Sequence, residues 1–182
     1  MQKSLTKNSI YNVIYTIANI LFPFATSIYV SRILLPAGVG KVASAQNIVS
    51  YFVTLAALGL PSYGVREFAK VREKKHERNK LFTELLLVNI ISTTLAVVGF
   101  IGLVVANEGF NGQWTLYVAC GLSIVFNYLN IDWMYQGLEE YGYITGRSLL
   151  IKGLSLLALF LFVKTREDYV IYALISSLAT GG

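Results

Sequence analysis

The chain has 182 residues and a formal net charge of +5; 55% of it is hydrophobic, 14% is charged, and the mean hydropathy is +0.58. A soluble domain carries about 25% charged residues and gives its helices polar faces that several stretches here lack, so composition excludes a soluble fold and predicts an all-α, polytopic integral membrane protein. With one cysteine, Cys120, and one histidine, His76, there is neither a disulfide framework nor a cysteine–histidine metal cage, and no cofactor is expected.

A membrane-spanning helix needs about 20 mostly apolar residues to cover about 30 Å of hydrocarbon. Residues 10–30, 43–65, 81–106, 114–134 and 148–163 meet that need, the last with a few flanking residues, and a sixth run, 169–182, stops short of a full crossing, with a short re-entrant piece as its alternative reading. The expectation is one amino-terminal transmembrane bundle over residues 1–182, as the amino-terminal part of a longer protein or a truncated product of one. The first run is too long for a signal peptide and lacks an A-x-A-like exit, so it reads as an anchor. Lys3, Lys7, the basic residues between Arg66 and Lys80, and Arg147 fall on one side, against Arg32, Lys41, Lys164 and Arg166 on the other. The positive-inside rule then puts the amino terminus in the cytoplasm.

In the first span, a turn of about 100° per residue gathers Asn8, Asn12, Tyr15, Asn19 and Thr26 into an arc of about 60°, with Val13, Ile17, Ile20, Phe24 and Ile28 on the other side. Unpaired amides are costly in hydrocarbon, so the stripe faces protein or water. Pro23 frees the carbonyl of Asn19 and bends the helix near mid-span. The second span repeats the pattern with Gln46, Asn47, Ser50, Tyr51 and Thr54. Two such faces predict a shared polar space; helix-to-helix glue is the structural alternative.

The segment between Arg66 and Lys80 interleaves seven basic residues with Glu67, Glu73 and Glu77, the pattern of a solvated helix with i to i+4 pairs and not of a nucleic-acid surface, with contact to lipid headgroups as the alternative. "PAGVGKV" around Lys41 lacks the first glycine and the hydroxyl residue of a phosphate loop. Glu139 and Glu140 are adjacent in a turn and unsuited to paired acid–base work. No catalytic residue is expected. Glu84, near the start of the third span, has the character of an interfacial carboxylate, with protonation during transport as the alternative. The next hairpin, "NYLNIDWMYQGLEEYGYITGRSLLIK" (127–152), places Asp132 and Lys152 at similar distances from its turn, predicting an interhelical pair near the cytoplasmic mouth, with both side chains snorkelling to the headgroups as the alternative. Trp133, Tyr135, Tyr141 and Tyr143 fit an interfacial aromatic belt.

The stretches "IYVSRILLPAGVGKVASAQNIVSYFVTLAALGLPSYGVREFAKVR" (28–72) and "NIDWMYQGLEEYGYITGRSLLIK" (130–152) resemble the amino-terminal half of Wzx-type polysaccharide-repeat flippases. Their superfamily also contains multidrug exporters and lipid II flippases. The resemblance implies two six-helix bundles around a cavity, this chain being roughly the first. It also implies alternating access that carries an undecaprenyl-diphosphate-linked oligosaccharide across the bacterial cytoplasmic membrane for capsule or lipopolysaccharide assembly. Membrane lipids, and a polysaccharide polymerase or glycosyltransferases, are the partners it implies. By position it carries over Arg32, Arg66, Asp132, Arg147 and Lys152. Together with Asn12, Asn19, Gln46 and Asn47 for sugar hydroxyls, and Pro23 and Asp132 for structure or gating, these are the candidate site residues. The first two spans lack the carboxylate typical of the drug-exporter branch. Drug export, and a non-transporting scaffold of a glycan-assembly complex, remain the alternative functions.

Overall fold

A computed structural model describes residues 5–110 and 112–181; Lys3 and Gly182 lie outside them, as does the side chain of Lys7. The described residues form α1 (Leu5–Ala57), α2 (Leu60–Lys70), α3 (Lys75–Ala106), α4 (Trp114–Phe126), α5 (Asp132–Gly137), α6 (Tyr141–Phe162) and α7 (Tyr169–Gly181). Single 3₁₀ turns occupy Glu108–Phe110 and Asn127–Leu129, and no strand occurs among the described residues. The stretches Asn8–Lys70, Lys75–Ala106 and Tyr141–Phe162 are long and apolar enough to cross a membrane, and α4 and α7 are shorter apolar helices. The protein is an all-α, multi-pass membrane protein.

Helix α1 holds the first two spans in one element, interrupted at Leu35 (φ 56, ψ 172). Pro36 explains the break, because a proline drives the residue before it out of helical geometry. A left-handed φ at a non-glycine residue costs about 1–3 kcal/mol, so the surrounding packing must hold the bend in place. In one straight helix, Thr26 and Ser50 would stand about 36 Å apart; instead both line one cavity, so the arms 5–34 and 36–57 fold back on each other. Proline is tolerated in a first helical turn, where its missing N–H is not needed. The second arm therefore starts at Pro36 and not, as the hydropathy run implied, at Ala43.

Three further boundaries differ from the apolar runs. The run 43–65 is cut where Leu58 (φ 43) and Gly59 (φ 72) turn left-handed, and α2 begins with Pro61 in its first turn. The run 114–134 is cut by the 3₁₀ turn at Asn127–Leu129, so α5 is a separate short helix. Finally, α6 begins at Tyr141 instead of Ser148, which moves Lys152 from a helix end to midway along the helix.

The main core gathers Val42, Ala45 and Val49 of α1, Ala96 and Phe100 of α3, Leu116, Cys120 and Ile124 of α4, and Ala173 of α7. Val13, Ile17, Ile20, Phe24 and Ile28 are exposed, as expected of a face turned to lipid. A second cluster joins α2, α3 and α5 through Leu60, Phe68, Leu85 and Trp133. Trp133 is therefore a core residue, 2% exposed, and not part of an aromatic belt. Its indole N–H donates to the Asn130 carbonyl at 3.0 Å, and it packs on Gly64, where a Cβ would fall 2.8 Å from the ring. Tyr135 and Tyr143 stack with ring centroids 4.6 Å apart.

Gly137 is the tightest contact of α5 with α2: an added Cβ would lie 2.5 Å from Phe68 Cβ and 2.9 Å from the Val65 carbonyl oxygen. Gly137→Ala is expected to destabilise the folded protein by about 1–3 kcal/mol, because the main chain of α2 cannot yield as a flexible side chain would. Gly102→Ala, which meets nothing within 4 Å, should be neutral or slightly stabilising. Unfolding in detergent, compared between the two variants, checks the contrast.

The basic segment is not one continuous helix. It runs from the end of α2 through a turn into α3, with Lys70 on Glu67 at 2.8 Å and Lys74 on Glu77 at 3.0 Å, both three residues apart. Such exposed pairs contribute about 0–1 kcal/mol each. Glu84 is exposed and lies 3.9 Å from Lys80. Arg72 turns inward, donating to the Gly137 carbonyl at 3.1 Å and pairing with Glu139 at 3.0 Å.

Between α6 and α7, Asp168 accepts the backbone N–H groups of Lys164 and Thr165 at 2.9 and 2.7 Å, which holds its carboxyl below the ordinary value. A carboxylate with a depressed pKa stabilises the fold above its unfolded pKa and loses that contribution as pH falls through the folded one. The α6–α7 turn should therefore loosen only in acid.

Candidate functional site

The two arms of α1, the end of α4 and one face of α7 enclose a cavity of about 590 Å³. Thr26, Ser27, Gln46, Ser50 and Thr54 come from α1, Ser123, Asn127 and Asn130 from α4 and the turn after it, and Tyr172, Ser176, Ser177 and Thr180 from α7; no lining residue is charged. Gln46 Nε2 donates to Ser176 Oγ at 3.0 Å across the cavity. Most of the hydroxyls donate to carbonyls of their own helix: Ser50 to Asn47 at 2.7 Å, Thr54 to Ser50 at 2.8 Å, Ser123 to Cys120 at 2.6 Å and Thr180 to Ser176 at 3.0 Å. With their protons engaged, these oxygens retain lone pairs for a ligand rich in O–H donors.

A smaller cavity of about 200 Å³ adjoins the first and shares Phe22, Pro23 and Thr180 with it. Tyr15, Asn19, Asp132, Ser148 and Lys152 line it. Lys152 Nζ donates to Asn19 Oδ1 and lies 5.7 Å from the centroid of the Tyr15 ring. Asp132 pairs with Arg147 Nη2 at 2.5 Å, the two side chains being 21% and 26% exposed. The expected Asp132–Lys152 pair is thus not formed, although both residues line one cavity. Because α6 starts at Tyr141, Arg147 lies nearer the α5–α6 turn and level with Asp132, and Lys152 lies more than a turn deeper.

Of the candidate residues, Asn19, Pro23, Gln46, Asp132 and Lys152 line the cavities, and Arg147 stands behind them through Asp132. Asn12 and Asn47 are exposed and line neither cavity. Arg32 is exposed beside the break in α1. Arg66 is also exposed, 3.2 Å from Glu67 and 5.7 Å from the Tyr63 ring centroid. Sequence reasoning missed the row Tyr172, Ser176 and Thr180, whose spacing of four places them on one face of α7.

It also missed a buried amide cluster behind the cavity. Asn127 Nδ2 donates to Asn89 Oδ1 at 2.9 Å and to Thr93 Oγ1 at 2.8 Å, while Asn89 Nδ2 donates to the Asn127 carbonyl at 2.9 Å. This cluster ties the end of α4 to α3 at the point where the helix breaks. Asn127→Ala should cost about 1–2 kcal/mol, the upper range for polar contacts between membrane helices. Adding Asn89→Ala should cost little more, because the two side chains share their bonds; a double-mutant cycle on detergent unfolding reads the coupling.

The sequence profile of the family described as "Polysaccharide biosynthesis protein" matches residues 5–181. A protein of Escherichia coli (strain K12) named "Putative O-antigen transporter" is 23% identical over 176 residues, covering 97% of this chain and 42% of that protein. One of the same name from Shigella dysenteriae is 27% identical over 157 residues, covering 84% of this chain and 38% of its own length. The chain thus spans about two fifths of the curated relatives it matches. No solved structure matches.

Proposed function

Since the chain belongs to the family of polysaccharide biosynthesis proteins, we propose that it forms the amino-terminal bundle of a transporter for a lipid-linked oligosaccharide. The transporter carries an undecaprenyl-diphosphate-linked repeat unit across the bacterial cytoplasmic membrane by alternating access, with the amino terminus cytoplasmic, and works beside a polymerase or glycosyltransferases. One observation carries the reading: an uncharged cavity of hydroxyls and amides lies beside a lysine set midway along a membrane helix. Hydroxyl oxygens and amides match the donors and acceptors of sugars. A cation at the centre of a span costs about 2.5–3.5 kcal/mol on insertion scales, so its presence calls for an anion that visits it. Both relatives bear a name that states O-antigen transport.

Drug export fits less well, because the one carboxylate at the cavities, Asp132, is already neutralised by Arg147. Cells lacking the gene should accumulate the lipid-linked repeat on the cytoplasmic leaflet, lose surface polysaccharide and keep their drug susceptibility. Normal surface polysaccharide together with altered drug susceptibility would reverse the assignment.

A further inference from the structure

The seam between the first arm of α1 and α6 carries a third concavity, an apolar groove of about 420 Å³ lined by Ile14, Ile17, Leu21, Leu149, Gly153 and Leu156. Ile17, Leu21 and Leu149 are exposed along it, and a Cβ at Gly153 would meet nothing within 4 Å. The small residues Ala18, Ala25 and Gly153 keep the seam open. Only Phe22 and Lys152 belong both to this groove and to the small polar cavity. Hydrocarbon surface, a single cation and a hydroxyl-lined chamber therefore follow one another without interruption. A prenyl chain, its phosphate and a sugar follow one another in the same order.

We propose that the α1–α6 seam is a lateral groove for the hydrocarbon chain of the anionic lipid substrate, with Lys152 meeting the phosphate where groove and cavity join. This rests on the lipid-linked reading above and deepens it. A groove without polar groups other than the lysine cannot satisfy a peptide backbone or a sugar, so its occupant is hydrocarbon. The lysine selects among hydrocarbons for one joined directly to an anion. The tail thereby stays in the bilayer while the headgroup moves through the chamber, and the protein need not enclose a long prenyl chain.

The test uses the intact protein in native membranes and two diazirine-bearing probes, a long-chain prenyl phosphate and the matching neutral prenyl alcohol. The phosphate should label Ile17, Leu21 or Leu149 about fivefold more than the alcohol, the preference that one lysine confers for an anionic lipid. Lys152→Gln and Ala18→Trp should each remove that preference, while labelling of the exposed Leu95 on α3 stays unchanged and reports an intact fold. Equal labelling by phosphate and alcohol, or labelling that persists in Ala18→Trp, would mean that bulk lipid covers the seam. A cysteine at Ser176, tested for protection by a water-soluble sugar phosphate, reads the chamber independently. Protection there without seam preference removes the groove alone, and failure of both removes the lipid-linked reading as well.

Discussion

Lys152→Ala is expected to lower export of surface polysaccharide by about 30- to 100-fold, the low end of the range of about 2–5 kcal/mol for truncating one partner of a desolvated charge contact. Fold stability should hold or rise, because the variant relieves the cost of a cation placed midway along α6. That opposition separates a ligand-binding role from a structural one: a lysine retained only to pair with Asn19 would lose stability and function together. Lys152→Arg should keep much of the activity, since the guanidinium also reaches an oxyanion. Asn19→Ala should have a smaller effect, because the carboxamide orients the ammonium without carrying charge. Surface polysaccharide measured per folded copy of the protein distinguishes these outcomes.

Reversal of one charge in the Asp132–Arg147 pair is the second large effect expected. Asp132→Arg and Arg147→Asp should each destabilise the bundle by about 3 kcal/mol, at the lower edge for a broken buried pair because each side chain retains some contact with water. The double exchange should recover most of the loss, because it puts one cation and one carboxylate back at the two paired positions. Asp132→Lys combined with Lys152→Asp should recover nothing, since those two side chains do not pair. Detergent-solubilised yield and unfolding of the four variants settle which cation holds Asp132.

What hydropathy could reveal was the number and approximate place of the membrane runs, because lipid-facing residues such as Ile17, Ile20 and Phe24 need no partner to be recognised. It was blind to the breaks. Leu35 and Leu58 adopt left-handed backbone inside apolar context, and only Pro36 and the Gly59–Pro61 pair hint at them. The end of α4 is equally hidden, since Asn127 acts through Asn89 and Thr93, more than thirty positions away in the chain.

The candidate site was legible in part for the same reason. Asn19, Pro23 and Gln46 follow from helical periodicity within one span. Asp132 and Lys152 stood out as charges in apolar runs, but the partner of each depends on where α6 starts. Tyr141 opens that helix after Glu139 turns left-handed at φ 57, and Arg72, in the turn after α2, pairs with this glutamate. No local pattern announces that contact. The hydroxyl row on α7 was readable from its spacing of four, yet gains meaning only once Gln46 is seen to face it.

Thiol accessibility of the large cavity is the most direct measurement. With Cys120 replaced by alanine, single cysteines at Gln46, Ser50 and Ser176 should react with a membrane-impermeant reagent from one side of the bilayer, while cysteines at Ile20, Phe24 and Leu55 react only with lipid-soluble reagents. If positions 46, 50 and 176 resist water-soluble reagents from both sides, the hydroxyls are packing contacts between helices and no passage for a sugar headgroup runs through this bundle.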